Sequence, residues 1–124
     1  MRYIATLLAA AALVWVAVST LVSAQDAGET GCEGSTVDMM ECLADKAEQW
    51  DKRLNAAYQK ALKAAASPKQ REQLRVAQRL WVQYRDANCL YWALGEGTIA
   101  RLQSVDCSYR MTRSRAEELS DDDK

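Results

Sequence analysis

The chain has 124 residues, enough for one domain, and its 16 basic and 17 acidic side chains nearly cancel. Without a basic excess, nucleic-acid binding is not expected. The chain contains no histidine, which removes the commonest general base and a frequent zinc ligand. These features argue against a nucleic-acid-binding protein and against histidine-dependent catalysis, and they lead us to expect no cofactor and no metal.

The first 24 residues have the three parts of a secretory signal peptide. Arg2 supplies the positive start, residues 4–22 are uncharged and mostly apolar, and residues 22–24 form a cleavage site of small side chains. The apolar run is near the length that crosses a bilayer, so an uncleaved anchor is the alternative. Cys32 lies too far beyond the run for a lipoprotein site. We therefore expect a periplasmic or secreted protein with no membrane attachment after cleavage.

The first predicted helix follows a polar, glycine-containing arm at residues 25–34. Ser35 or Thr36 is a candidate N-cap, and Asp38 is well placed in the first turn. Through residues 40–64, apolar side chains recur at alternating spacings of three and four. This pattern predicts a helix of about seven turns.

The second predicted helix begins with strong local signals. Ser67 can cap it, Pro68 suits its first position, and Gln70 completes a capping box. Apolar and aromatic side chains then recur at helical spacing through residues 74–91. The glycines at 95–97 predict the end of this helix.

The remaining segment, residues 100–119, predicts a third and shorter helix, followed by an acidic tail at 120–124. The domain organisation is therefore a signal peptide (1–24), one helical domain (25–119) and the tail. The predicted fold class is all-α, with an antiparallel hairpin of two long helices, a shorter third helix and two disulfides.

The short connection near Ser67 determines how the two long helices align. Counting outward from it brings Trp50 level with Tyr84, and Leu54 level with Trp81, so these pairs should meet. Their burial would contribute roughly 1.5–3 kcal/mol per large side chain. The predicted core residues are Leu43, Trp50, Leu54, Tyr58, Leu74, Trp81 and Tyr84.

Polar residues come level in the same count: Asp51 with Arg85, and Asn55 with Gln78. One interpretation is a salt bridge and a hydrogen-bonded pair that hold the register of the hairpin. The other is a binding or catalytic group that also uses Asp86. We favour the structural interpretation, because the acids lie on helix faces without an obvious cleft.

Four cysteines, an even number in an exported chain, predict two disulfides rather than a zinc site, since no C-x-x-C spacing occurs. Cys42 and Cys89 lie at the same end of the hairpin. Each side chain points about 130° away from the apolar stripe of its own helix, so the two thiols face apart. We therefore predict the local pairs Cys32–Cys42 and Cys89–Cys107.

A long motif runs through the second helix, Leu74-x-x-Ala77-Gln78-x-x-Trp81-x-x-Tyr84-Arg85-Asp86-Ala87-x-Cys89. Before it stand Met39-x-Glu41-Cys42 and Asp51-x-x-Leu54-Asn55-x-x-Tyr58, and after it stand Cys107 and Thr112-x-x-Arg115-x-x-x-Leu119. Over residues 32–119, this order of elements resembles the LprI-type lysozyme-inhibitor family. Trp50 and Gly95-Glu96-Gly97 depart from its usual small residue and Gly-Gly pair. The resemblance implies a small exported helical module and, for some relatives, inhibition of lysozyme.

The leading functional hypothesis is therefore a periplasmic protein that blocks a muramidase by protein–protein contact. The alternative is an interaction protein of another kind, an envelope-stress factor or a toxin-immunity protein; an enzyme is a third reading. Two surfaces are candidates for partner binding: acidic residues around the first disulfide, and the loop at 93–104 held by the second. Their residues are Glu33, Asp38 and Glu41, and Trp92, Glu96 and Ile99. The sequence leaves the oligomeric state open.

Overall fold

The computed structural model describes residues 31–121, which form three α-helices. These are α1 (Thr36–Ala64), α2 (Pro68–Ala93) and α3 (Gly97–Asp121). The predicted all-α class and the antiparallel α1–α2 hairpin are confirmed. The signal peptide predicted at residues 1–24 lies outside the described residues.

The third helix is longer than its sequence pattern indicated. It has 25 residues against 26 in α2. It begins at Gly97 rather than near residue 100, and it continues to Asp121, into the segment that we expected to be a tail. The glycine-containing connection between α2 and α3 is correspondingly short.

The start of α1 is held by a complete capping box at Ser35. The Ser35 hydroxyl accepts a hydrogen bond from the Asp38 backbone N–H at 3.2 Å. The Asp38 carboxylate in turn accepts from the Ser35 backbone N–H at 2.9 Å and from its hydroxyl at 2.7 Å. These bonds satisfy donors that the first turn of a helix cannot pair internally.

The start of α2 is capped by Ser67, whose hydroxyl accepts from the Gln70 backbone N–H at 3.1 Å. The Gln70 side chain bonds the Ala66 N–H at 2.8 Å rather than the N–H of Ser67, so the predicted box is displaced by one residue. Across the connection, Arg71 Nε donates to the carbonyl of Leu62 at 3.0 Å. The hairpin is thus closed by side-chain hydrogen bonds to its own backbone.

The third helix lies along both helices of the hairpin, and α1 contacts α3 far more extensively than it contacts α2. Leu43 shares a buried cluster with Tyr109, and Leu54 shares another with Leu119. The contact partner on α3 thus has a higher residue number when the residue on α1 does, so α3 runs parallel to α1. The Cys89–Cys107 disulfide and the Gln78–Arg115 hydrogen bond show that α3 runs antiparallel to α2.

The larger hydrophobic cluster fills the half of the bundle near the α1–α2 connection. Its buried residues are Leu54, Ala57, Ala116 and Leu119, and partly buried side chains of α1 and α2 pack against them. These neighbours are Trp50, Tyr58, Leu74 and Trp81. Four predicted core residues therefore surround Leu54, although they remain partly exposed.

The second cluster fills the opposite half of the bundle and draws its members from the N-terminal arm, α1 and α3. Cys32, Leu43 and Tyr109 are buried there. Their partly buried neighbours are Cys42, Ala47, Trp50, Leu102 and Val105. The Cys32–Cys42 disulfide is thus part of a hydrophobic core and also holds the arm against α1.

The prediction that Tyr84 packs against Trp50 is wrong, since the Tyr84 side chain is 62% exposed. The reason is that α3, rather than α2, lies closest to α1 in this part of the bundle. Trp50 packs instead in both clusters, with the guanidinium groups of Arg53 and Arg113 at 4.5 and 5.6 Å from its ring. The expected proximity of Leu54 and Trp81 agrees with the structure, since both residues belong to the same cluster.

Both disulfides have the predicted pairing, Cys32 with Cys42 and Cys89 with Cys107. The two bonds differ in what they join. The first links the N-terminal arm to the second turn of α1, whereas the second links α2 to α3. All four cysteines of the chain are therefore oxidised, as an oxidising compartment would require.

Candidate functional site

The connection between α2 and α3 is a tight corner, which we define as residues 94–99. The Leu94 N–H donates to the carbonyl of Leu90 at 3.1 Å, and the Gly95 N–H donates to that of Trp92 at 3.2 Å. Gly97 has a φ of 74°, a conformation that favours glycine. A Cβ on Gly95 would lie 3.3 Å from the Cβ of Ala100, tighter than most packed contacts. Glycine at 95 and 97 therefore lets the chain reverse within three residues.

The Cys89–Cys107 disulfide links α2 and α3 close to this corner. The Ser104 hydroxyl donates to the carbonyl of Cys89 at 3.0 Å, which adds a polar link between the same two helices. Met111 Sδ lies 3.8 Å from each of the two cysteine sulfurs, and Asn88 Nδ2 lies 3.3 Å from Met111 Sδ. Covalent, polar and apolar contacts thus hold the ends of α2 and α3 in one geometry.

The three residues that the sequence assigned to a binding surface at and beside the corner are all exposed. Trp92 is 41% exposed, and Glu96 and Ile99 are also exposed. The sequence reading missed Leu94, which is the most exposed large apolar residue among those described here, at 76%. Exposed apolar side chains beside a carboxylate, on a rigid support, are typical of a protein-binding surface.

A cleft of about 280 Å³ lies between α2 and α3, just below the corner. Trp92 forms one wall, and the opposite side is formed by the ion-paired Asp106 and Arg110 together with Met111. The cleft lies directly beside the disulfide, since Cys107 also lines it. It extends the exposed surface of Trp92 into the body of the bundle.

The acidic candidate surface lies around the first disulfide. Glu33 and Glu41 are exposed to solvent. Asp38 is exposed too, but the hydrogen bonds from Ser35 occupy its carboxylate, and they hold its pKa below the ordinary value. Of the three acids, Asp38 has the clearest structural role, so Glu33 and Glu41 are the better candidates for contact with a partner.

Both candidate surfaces lie at the same end of the molecule. Because α3 runs parallel to α1, the first turns of these two helices are neighbours, and the end of α2 meets them at the corner. Leu102 near the start of α3 packs into the same cluster as Cys32 of the arm. We call this the disulfide end, and the sequence could not show that its two surfaces meet.

The Asp51–Arg85 group lies at the surface where the three helices meet: Arg85 is partly buried, whereas Asp51 and Asp86 are exposed. Arg85 Nη1 lies 3.8 Å from Asp51 across the hairpin and donates to the Thr112 hydroxyl of α3 at 3.3 Å. Arg85 also donates twice to Asp86, at 2.9 and 3.0 Å, and its guanidinium lies 5.2 Å from the Trp81 ring. One guanidinium therefore connects all three helices, which favours the structural interpretation.

Asn55 and Gln78 do not pair with each other as the helix count suggested. Asn55 Nδ2 donates to Asp51 at 3.3 Å on its own helix. Gln78 accepts from Arg115 Nε at 3.1 Å, so its partner lies on α3. Arg115 is buried and bonds Glu118 at 2.7 Å. The physical reason is again that α3 supplies the neighbours that a two-helix count assigns to α1.

Within residues 31–121, no helix is long and apolar enough to span a membrane, and no group of three His, Cys, Asp or Glu side chains could hold a metal ion.

Comparison with known proteins adds one finding. The family model described as lysozyme inhibitor LprI matches residues 28–119. This range includes both disulfides, the corner and all three helices, except for the last two residues of α3. No curated protein and no solved structure matches the chain.

Proposed function

Since the chain belongs to the LprI lysozyme-inhibitor family, we propose that it is an exported protein that blocks a muramidase by protein–protein contact. The family is one of inhibitors rather than enzymes, and its name implies a protein partner such as lysozyme. The two disulfides support export, and we place the protein in the periplasm or outside the cell. The observation that carries the proposal is the exposed, disulfide-braced corner between α2 and α3.

The corner has the shape and chemistry to enter an enzyme cleft. Leu94 and Ile99 are exposed on either side of Glu96, so apolar contacts flank a single carboxylate. A muramidase cleft holds two carboxyl groups, one of which is protonated as the general acid. That acid can donate a hydrogen bond to Glu96, while Ile99 occupies a position along the cleft that would otherwise hold a sugar ring.

Rigidity makes this contact efficient. A flexible loop loses conformational entropy when it binds, whereas a corner already held in one geometry does not. Cys89–Cys107 and the Ser104–Cys89 hydrogen bond hold both sides of the corner before any partner arrives. The same rigidity limits the corner to partners with a matching cleft.

Charge at the disulfide end supports binding to a cationic muramidase. Glu33, Glu41 and Glu96 are exposed at this end of the bundle. Acidic groups around an interface accelerate association with a basic partner, and this electrostatic attraction weakens as the salt concentration rises. We assign Glu33 and Glu41 to this steering role and Glu96 to direct contact.

The test is an assay of cell-wall lysis by a cationic muramidase, with the protein purified after export from the full-length chain. Micromolar protein should slow lysis. Glu96→Gln should weaken inhibition by roughly 10- to 150-fold, because a hydrogen bond to a charged group contributes about 1.5–3 kcal/mol. Ile99→Ala should weaken it by a similar factor through lost apolar contact.

Glu48→Gln is the matched control, since Glu48 is an exposed acid in the middle of α1 with only a surface ion pair to Lys52. It should inhibit like the unaltered protein. Unimpeded lysis at a micromolar excess of inhibitor would contradict the proposal. In that case, capture of partners from a periplasmic extract would show whether the envelope-stress or toxin-immunity alternative replaces it.

A further inference from the structure

The outer face of α2 carries a row of exposed apolar side chains that nothing in the described chain covers. Leu80, Tyr84, Tyr91 and Leu94 are between 59% and 76% exposed, and exposed Ala87 lies among them. Their spacings alternate between four and three residues, so they form one stripe along four turns of the helix. We call these five residues the α2 stripe.

The inward face of α2 explains why the stripe is left over. Arg85, Asn88 and Cys89 all reach α3, through a hydrogen bond, sulfur contacts and the disulfide. At this end of the bundle, α1 packs against α3 rather than against α2. Among residues 31–121, the α2 stripe therefore has no covering neighbour.

We propose that the α2 stripe is the interface between two copies of this protein, which pack α2 against α2 in antiparallel orientation around a two-fold axis near Ala87. Two-fold interfaces use the same surface of both copies and must therefore be self-complementary. The order of residues in the α2 stripe meets this condition, because in either chain direction it reads Leu, Tyr, Ala, Tyr, Leu, and the spacings of four and three residues exchange places on reversal.

The order of large and small side chains suits this arrangement. Ala87 lies at the centre, where a small side chain lets two helix backbones approach closely. Tyr84 and Tyr91 flank it, and Leu80 and Leu94 close the two ends. In the antiparallel pair, each end of the stripe on one copy meets the opposite end on the other, over roughly 21 Å of helix.

The exposed area is sufficient for a stable pair. Leu90, which is 55% exposed, lies beside the α2 stripe and adds to its apolar surface. From the usual areas of tyrosine and leucine side chains, the patch exposes on the order of 600 Å² per copy. Two copies that covered the whole patch would bury on the order of 1,200 Å² in total, and covering most of it reaches the roughly 1,000 Å² that a specific interface needs.

No charge interrupts the α2 stripe. The charged residues nearest to it on α2 are Arg79 and Asp86, and each is already paired within its own copy. Arg79 lies 3.8 Å from Glu72, and Asp86 bonds Arg85 at 2.9 Å. Association would therefore not leave these charges unpaired, which is the usual cost of burying polar groups at an interface.

The test measures the mass of the exported protein by sedimentation or light scattering over a range of concentrations. The unaltered protein should form dimers. Ala87→Glu should raise the dimer dissociation constant on the order of 100-fold, because two carboxylates would face each other at the axis. Glutamate is a good helix former and Ala87 is exposed, so the variant should keep its helical circular dichroism.

Ala56→Glu, at an exposed alanine of α1, is the matched control and should dimerise normally. Ala87→Lys alone should also be monomeric, whereas an equimolar mixture of Ala87→Glu and Ala87→Lys should form heterodimers. Only an interface that places position 87 near its own copy predicts this rescue. A dimer formed through another surface of the protein would not show this rescue by mixing.

A protein that stays monomeric up to millimolar concentration would overturn the proposal. So would a dimer that survives Ala87→Glu, or a mixture of the two charged variants that remains monomeric. If the protein is monomeric and Ala87→Glu abolishes binding to a muramidase, the α2 stripe is a docking face for that partner instead. The mass measurement uses no muramidase, so its outcome is independent of the proposed inhibition.

Discussion

The two halves of the bundle are held together in different ways. Near the α1–α2 connection, all three helices contribute to one cluster around Leu54. At the disulfide end, the cluster around Leu43 comes from the arm, α1 and α3. The end of α2 is attached there by the Cys89–Cys107 bond and by polar contacts of Arg85 and Ser104.

This difference shows what the second disulfide replaces. A domain of this size buries a modest core, and a covalent bond can supply the stability that apolar packing does not. Because α2 does not need its apolar residues to hold its end in place, Tyr84, Tyr91 and Leu94 can face solvent. The half of the molecule with less packing thus carries the corner and most of the α2 stripe.

The largest effect is expected at the packed half. Leu54→Ala removes a side chain that is only 2% exposed and should lower the free energy of unfolding by about 3–4 kcal/mol, measured by urea denaturation. Leu80→Ala, at an exposed leucine of α2, is the matched control and should change it by less than about 0.5 kcal/mol in dilute protein. Equal losses in the free energy of unfolding at the two positions would contradict the assignment of Leu54 to the core and of Leu80 to the surface.

The two disulfides should have similar effects on stability and different effects on the corner. The disulfides Cys32–Cys42 and Cys89–Cys107 close loops with sequence separations of 10 and 18 residues. Replacing both cysteines of either bond by alanine opens the loop and should lower the free energy of unfolding by about 3 kcal/mol. Only replacement of the second pair should accelerate hydrogen exchange at the backbone amides of Gly95 and Glu96. If both replacements accelerate it equally, the corner depends on the whole disulfide end.

The smallest effect concerns the cap of α1 and depends on pH. Hydrogen bonds from Ser35 lower the pKa of Asp38 in the folded state, so they stabilise the fold at neutral pH. This contribution should disappear as the pH falls through the folded-state pKa, where the carboxylate becomes protonated. Asp38→Asn should therefore be less stable than the unaltered protein at pH 7 and equally stable in strong acid, measured by thermal unfolding at both pH values. A difference that persists in acid would contradict this account.

Local signals in the sequence predicted the elements well. Ser35 and Ser67 are the caps of α1 and α2, and the helices follow the expected periodicity. Both disulfides were also predictable, since each joins cysteines that are close in sequence or across one turn. These features depend on neighbouring residues, and a single stretch of chain carries that information.

The errors share one cause. A stripe of apolar residues shows that a helix has a buried face, but it does not show which other helix will cover it. We assigned the partners of Tyr84 and Gln78 to α1, whereas α3 is the helix that packs closest to α1 and bonds Gln78. With α3 in that position, Tyr84 is exposed and Gln78 meets Arg115.

The sequence by itself determined the helices, their caps, the pairing of the four cysteines and the resemblance to the LprI family, because each is encoded in local spacing. Only the tertiary structure decided that α3 lies between the helices of the hairpin. That position brings the acidic residues Glu33 and Glu41 to the same end as the corner, and it leaves the α2 stripe exposed. Helix order in a bundle is decided by competition among several apolar faces, which no single helix pattern can resolve.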